Sequence, residues 1–155
     1  MIYIIIGQSG CGMTTFIKSR FLNGETRVVE DEIPYTVCGN VAALGRYNIG
    51  KRTEGTDTLS YNSQEKIKKL LLRLIKDGYD IIAEGDRINT PDMFEYIKGL
   101  GQEVKLYLVQ CSILTSIARL RAAGSNITIT FVKATKTKAR KNYQRYKKLF
   151  DGEII

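Results

Sequence analysis

Ile2-Tyr3-Ile4-Ile5-Ile6-Gly7-Gln8-Ser9-Gly10-Cys11-Gly12-Met13-Thr14-Thr15 joins an apolar run to a glycine-rich loop. The run from Met1 to Gly7 has the near-continuous apolar character of a strand buried on both faces of a sheet. Gly7 to Thr14 has the phosphate-loop spacing: a glycine, four residues, a second glycine, one residue, then a hydroxyl. Its glycines let backbone N–H groups turn onto phosphate oxygens. The helix expected next, Thr14 to Leu22, adds the positive end of its dipole. Gly7, Gln8, Ser9, Gly10, Cys11, Gly12, Met13, Thr14 and Thr15 form the candidate phosphate cradle, with Thr14 in reach of a magnesium ion. The alternative, a glycine-rich turn without a ligand, does not account for a buried strand directly before it and a helix directly after it.

Methionine stands at position 13, where this spacing calls for lysine. Lysine there bridges the outer phosphates and stabilises charge in phosphoryl transfer. Methionine keeps similar length and volume and deletes the charge, so the expectation is an impaired catalyst that still folds. The near-isosteric swap suggests an engineered inactivation, with a natural pseudo-enzyme as the alternative.

Outward from the loop, strands and helices alternate. Arg27 to Glu32 reads as a short strand, Pro34 to Tyr61 as a long polar loop, and Ser63 to Lys76 as an amphipathic helix stopped by Gly78. Tyr79 to Ala83 reads as a buried strand, Pro91 to Leu100 as a helix with proline in its first turn, and Val104 to Val109 as a further strand. Helices follow over Leu114 to Ala123 and from about Lys133 to Phe150, with Ala139, Tyr143, Tyr146 and Phe150 on one inward face. The expected fold is three-layer α/β: a parallel sheet with helices on both faces, ligands beyond the C-terminal strand ends, a lid-like segment and a basic C-terminal helix. A chain of 155 residues is the usual size of one domain, so one domain over 1–155 is expected.

Composition removes several chemistries. There is no histidine, which excludes imidazole zinc sites and Ser-His-Asp triads and leaves a carboxylate or lysine as any general base. The three cysteines, widely spaced and odd in number, fit a reducing cytosol better than a disulfide framework. No apolar run approaches the length of a membrane span, and no targeting segment is visible. The formal charge of +8 is local: residues 131–150 carry eight basic groups and no acid. Such a stretch is either a solvated helix face or a surface that gathers polyphosphate or nucleic acid, with Lys133, Lys136, Lys138 and Arg140 as candidate contacts.

A kinase acting on a hydroxyl also needs a carboxylate near the acceptor. Asp31 is the first candidate, at the end of the second strand, with a turn-capping role as the alternative. Glu84 and Asp86 follow the next apolar strand, where a carboxylate commonly holds the magnesium shell. Glu84 is the better placed, and Asp86 is the natural partner of Arg87. Arg119 and Arg121 lie where a mobile lid would bring guanidinium groups to the transferring phosphoryl group, although arginine on a helix surface is usually just solvated.

Val41-Ala42-Ala43-Leu44-Gly45-Arg46-Tyr47-Asn48-Ile49-Gly50-Lys51-Arg52-Thr53-Glu54-Gly55-Thr56-Asp57-Thr58-Leu59-Ser60 resembles a stretch of small phage-encoded P-loop kinases that phosphorylate 5-hydroxymethyluracil bases within DNA. The similarity takes in the phosphate loop, the Glu84-Gly85 corner and the segment Thr130-Phe131-Val132-Lys133 with Thr137-Lys138 and Asn142. The resemblance implies ATP and magnesium, modified DNA as acceptor, the host-cell cytoplasm as location, and Arg46, Tyr47, Lys51, Arg52, Asp57 and Thr58 in the acceptor site. A base in a duplex would have to be flipped out, and Tyr35 or Tyr47 could then stack on it or simply pack. The alternatives are a nucleoside monophosphate or deoxynucleoside kinase, and a catalytically dead, nucleotide-gated DNA-binding module.

Overall fold

The computed structural model describes residues 1–51 and 53–155, so the expectation for Arg52 lies outside the described residues. Ile2–Gly7 forms β1, and the loop after it runs into helix α1, Met13–Phe21. Next come β2 (Arg27–Val29), β3 (Tyr35–Cys38), β4 (Val41–Leu44) and a 3₁₀ turn at Thr56–Thr58. The chain continues through α2 (Gln64–Lys76), β5 (Asp80–Glu84), α3 (Pro91–Gly99) and β6 (Val104–Val109), and ends with α4 (Ile113–Ala122), α5 (Ile129–Tyr146) and β7 (Gly152–Ile154).

The strands form one sheet in the order β2-β3-β4-β5-β1-β6-β7. β1 sits between two parallel neighbours, with Ile4 opposite Ala83 of β5 and Ile5 opposite Tyr107 of β6. Its alternate side chains feed two cores. Ile2, Ile4 and Ile6 join the residues of α2, α3 and α5 on one face, whereas Ile5 meets Ile17, Tyr47 and Tyr107 on the other. This double burial explains why β1 carries no polar residue. Three helices start on side-chain caps: Thr90 accepts the N–H of Met93, Ser112 that of Thr115, and Thr128 that of Phe131. On α5, Ala139, Tyr143, Tyr146 and Phe150 face inward as expected, and the Phe94 ring stacks on Tyr146 at 4.5 Å.

The structure revises several boundaries. The sheet is mixed, because β3 runs antiparallel to both β2 and β4. The segment expected as one long loop from Pro34 to Tyr61 holds β3, β4 and the 3₁₀ turn; its Gly39, with φ at 58°, makes the hairpin between the two strands. β2 ends at Val29 and α5 begins at Ile129, because Thr128 caps it. β7 completes the edge beside β6, through pairs such as Tyr107 with Glu153. Among the described residues, no helix is long and apolar enough to cross a membrane.

Candidate active site

The loop after β1 is shaped by two left-handed glycines. Gly10 has φ 77° and lies so close to α4 that a Cβ would stand 2.8 Å from the carbonyl oxygen of Ser116. Gly12 has φ 101° and starts α1 with no side-chain cap, which leaves the first-turn amides facing open space. The loop is braced from below and from the side. Gln8 is buried and donates through Nε2 to Ser116 Oγ at 2.7 Å, and Thr135 Oγ1 of α5 accepts the N–H of Ser9 at 3.1 Å. Arg119 Nη1 donates to the carbonyl of Cys11 at 3.0 Å, which lays its guanidinium on the loop.

This loop is one wall of a cleft of about 490 Å³. Thr56, Asp57, Glu84, Gly85 and Asp86 line it as well, together with Arg119, Leu120 and Thr135 from the two last helices. Met13 also lines the cleft, at the first residue of α1 and partly packed against the second core. Arg119 therefore brings a positive charge to a cleft whose lysine position is neutral.

Glu84 is the electrostatic centre of the carboxylate side. It is 4% exposed, and burial pushes its carboxyl up to about 7 against the lowering effect of the Tyr47 hydroxyl. Tyr47 Oη donates to Glu84 Oε1 at 2.5 Å, and Thr56 Oγ1 donates to the Glu84 carbonyl at 3.0 Å. Gly55 permits this approach: with φ 69°, a Cβ on it would lie 2.1 Å from Glu84 Oε1. The clamp brings Asp57 into the cleft. Asp57 is exposed at the cleft edge and pairs with Arg87 at 3.4 Å, so the desolvation that raises its carboxyl above the ordinary value is largely screened by solvent; Arg87 works against that rise and Asp86 adds to it.

Other expected site residues lie elsewhere. β2 runs in the same sense as β1, so Asp31 does follow the C-terminal end of its strand, but β3, β4 and β5 intervene. Four strand spacings amount to about 19 Å. Asp31 pairs with Arg73 at 2.5 Å in the open, and the N–H of Glu32 followed by Arg73 holds its carboxyl below the ordinary value, the reverse of what a base needs. Arg46 is engaged twice by Glu30, at 2.8 and 2.7 Å. Tyr47 is 1% exposed, so it has no free ring face for a flipped base. Tyr35 is half-buried against the first core with Arg73 over its ring, Lys51 is exposed, and Thr58 Oγ1 accepts the N–H of Arg46 at 3.4 Å. Arg121 is exposed and does not line the cleft. Asp86 pairs with Lys138 at 2.6 Å, while Arg87 takes Asp57, so the expected Asp86–Arg87 pair does not form. Lys136 donates to the carbonyl of Cys111, Arg140 donates to Gln110, and Lys133 is exposed.

Among the described residues, no group of three or more His, Cys, Asp or Glu side chains forms a metal cage. Magnesium on a phosphorylated ligand needs less, one or two carboxylates with the phosphate oxygens completing its shell. Thr14, Glu84, Asp57 and Asp86 all line this one cleft, and that donor set fits such an ion.

Fold and loop together define an α/β fold with a phosphate-loop sequence between β1 and α1. No protein-family model matches the chain, and no curated protein does. Among solved structures it is similar to deoxyadenosine kinase from M. mycoides with bound dATP, at 13% identity over 100% of this chain and 90% of that one, with a TM-score of 0.44. It is also similar to the deoxyadenosine kinase of M. mycoides with products dCMP and a flexible dCDP bound, at 13% identity over 100% and 89%, with a TM-score of 0.45.

Proposed function

We propose that the chain, folded as one domain, is an ATP-dependent kinase that transfers the γ-phosphoryl group to the hydroxymethyl group of 5-hydroxymethyluracil in DNA. The observation that carries the phosphoryl-transfer reading is the cleft itself, in which the phosphate loop, the Arg119 guanidinium and the Asp57 carboxylate line a single cavity. The DNA acceptor rests on the resemblance of the segment from Val41 to Ser60 and on the basic C-terminal helix.

In this mechanism the loop amides and the N-terminus of α1 hold the β- and γ-phosphates. Thr14 and Glu84 would hold a magnesium ion, which supplies positive charge to the bridging oxygens. Asp57 replaces Asp31 as general base, because it is open to the cleft that the phosphate loop lines, whereas Asp31 lies several strands away. It takes the proton of the acceptor hydroxyl as that oxygen bonds to the γ-phosphorus and the bond to the β-phosphate oxygen breaks, releasing ADP. Arg119 carries the charge that Met13 lacks and stabilises the transferring group.

A second reading is a deoxynucleoside kinase, which would use the same cleft and phosphate loop for a free nucleoside. The test is label transfer from γ-labelled ATP, by the protein and by Met13→Lys, to DNA containing 5-hydroxymethyluracil, ordinary DNA, nucleosides and nucleoside monophosphates. Label confined to the modified DNA is expected, with a higher rate for Met13→Lys. Label in free nucleosides makes the second reading correct, and no label with either protein leaves a nucleotide-gated binding module.

A further inference from the structure

Apart from the half-buried Lys147, the basic residues near the C-terminus divide into two sets that the sequence alone does not separate. Lys136 and Lys138 turn inward, to the carbonyl of Cys111 and to Asp86. Lys133, Arg140, Lys141 and Arg145 stay exposed on α5, with Thr137 and Gln144 between them, at the spacing of one helical face, and Lys148 is exposed in the turn that follows. Among the described residues none of these five meets a carboxylate: Arg140 donates to the neutral Gln110, and Arg145 lies over the Tyr146 ring at 5.4 Å. Much of the remaining surface behaves differently. Lys18, Arg46, Lys66 and Arg73 are each held by an acid, at 2.9, 2.7, 3.0 and 2.5 Å.

The stripe is also placed to serve the cleft. Because α5 leads into β7, which is parallel to β1 and β6, the helix begins at the phosphate-loop edge of the sheet and descends to the opposite edge. Its first turns touch the cleft, where Thr135 accepts the N–H of Ser9. From Lys133 to Arg145 the stripe covers about 18 Å at the helical rise per residue. That length matches about five successive phosphates of one strand.

We infer that the outer face of α5, Lys133, Arg140, Lys141 and Arg145, continued by Lys148 in the turn that follows it, is a track for the phosphate backbone of the polynucleotide that carries the acceptor base into the cleft. The inference rests on the kinase reading for its substrate and on the unpaired charge for its place. It assigns the contact to Lys141, Arg145 and Lys148 and removes Lys136 and Lys138 from it. The recognition is of charge and spacing, so it is indifferent to base sequence.

The test pairs Lys141→Glu/Arg145→Glu/Lys148→Glu with the parent, in oligonucleotide binding across a salt series and in label transfer to two acceptors. One acceptor is a modified oligonucleotide long enough to lie along α5; the other is a modified dinucleotide too short to reach it. The parent is expected to lose affinity with salt at a slope of about −4, and the variant at a slope smaller by about 3. The variant should bind the oligonucleotide roughly a hundredfold more weakly at low salt and keep the parent's ATP affinity, melting temperature and transfer to the dinucleotide. Lys141→Gln/Lys148→Gln, which adds no acid to the helix, should show part of the loss. If the charge-reversed protein binds and labels the long acceptor as the parent does, or if parent binding ignores salt, the track is wrong and the kinase reading stands. If no acceptor is labelled by either protein while the salt-dependent binding still vanishes in the variant, the kinase reading fails and the track stands.

Discussion

The two sides of the cleft are made in opposite ways. The phosphate loop is a short continuous segment from Gly7 to Thr15, held between a strand and a helix that adjoin it in sequence. The acceptor side is assembled from separate pieces, Tyr47, Gly55 to Asp57 and Glu84 to Asp86, joined by the hydrogen bond between residues 37 positions apart, Tyr47 and Glu84. The local device has its left-handed glycines and its helix start in place with methionine at position 13. A device built from distant pieces depends on each close approach, such as Gly45 against the carbonyl of Gly55 and Gly55 against Glu84.

The largest expected effect separates Arg119 from Arg121. Arg119→Ala should lower single-turnover transfer about a thousandfold, because the cleft then has no guanidinium beside the neutral Met13. Arg121→Ala, exposed and off the cleft, should stay within about twofold. Equal losses in the two variants would mean that the contact of Arg119 with the Cys11 carbonyl is not the working position.

Next in size is the pH dependence of stability. The Glu84 carboxyl rises from 4.5 in the unfolded chain to about 7 in the fold. Between those values the folded protein holds a proton that the unfolded chain releases, so the unfolded chain binds fewer protons and stability falls as pH rises. The loss amounts to roughly 3 kcal/mol, is complete above the folded value, and is absent below pH 4.5. Urea unfolding at a series of pH values should show this slope in the parent, and the slope should be absent in Glu84→Gln. A parent and variant with parallel profiles would mean that Glu84 is not buried as described.

The comparison of carboxylates comes third. Asp57→Asn should lower kcat about a hundredfold with little change in ATP affinity, and its loss should be greatest at low acceptor reactivity. The smallest effect is expected of Asp31→Asn, whose carboxylate sits in an exposed pair with Arg73 and should leave kcat within about twofold. The reverse ranking would return the base to the end of β2.

The same contrast explains what was legible in the sequence. β1, the loop, α1 and the helix α2 announce themselves through continuous local patterns: an apolar run, a glycine spacing, and Ile67, Leu70, Leu71 and Leu74 on one buried face. β3 and β4 do not. Each is four residues long, and β3 interrupts its apolar residues with the buried Thr36, whose hydroxyl donates to Gly45. β7 is three residues long with two of them exposed, so it carries no periodic signal. At the site, the loop could be read residue by residue, but the Tyr47–Glu84 contact left no local trace. Gly55 just before Thr56-Asp57 was the available hint, since a glycine ahead of polar site candidates often marks a close backbone approach. Asp31 was placed on the correct edge by strand direction, yet the two inserted antiparallel pairings moved it several strands aside.

The most direct test of the central claim, that these two differently made regions form one nucleotide-processing site, is backbone hydrogen exchange with and without ATP and magnesium. The expected result is slowed exchange both in residues 7–15 and in residues 55–57 and 84–86, with no slowing at residues 30–32. Slowing confined to the phosphate loop, or found nowhere, would contradict the account.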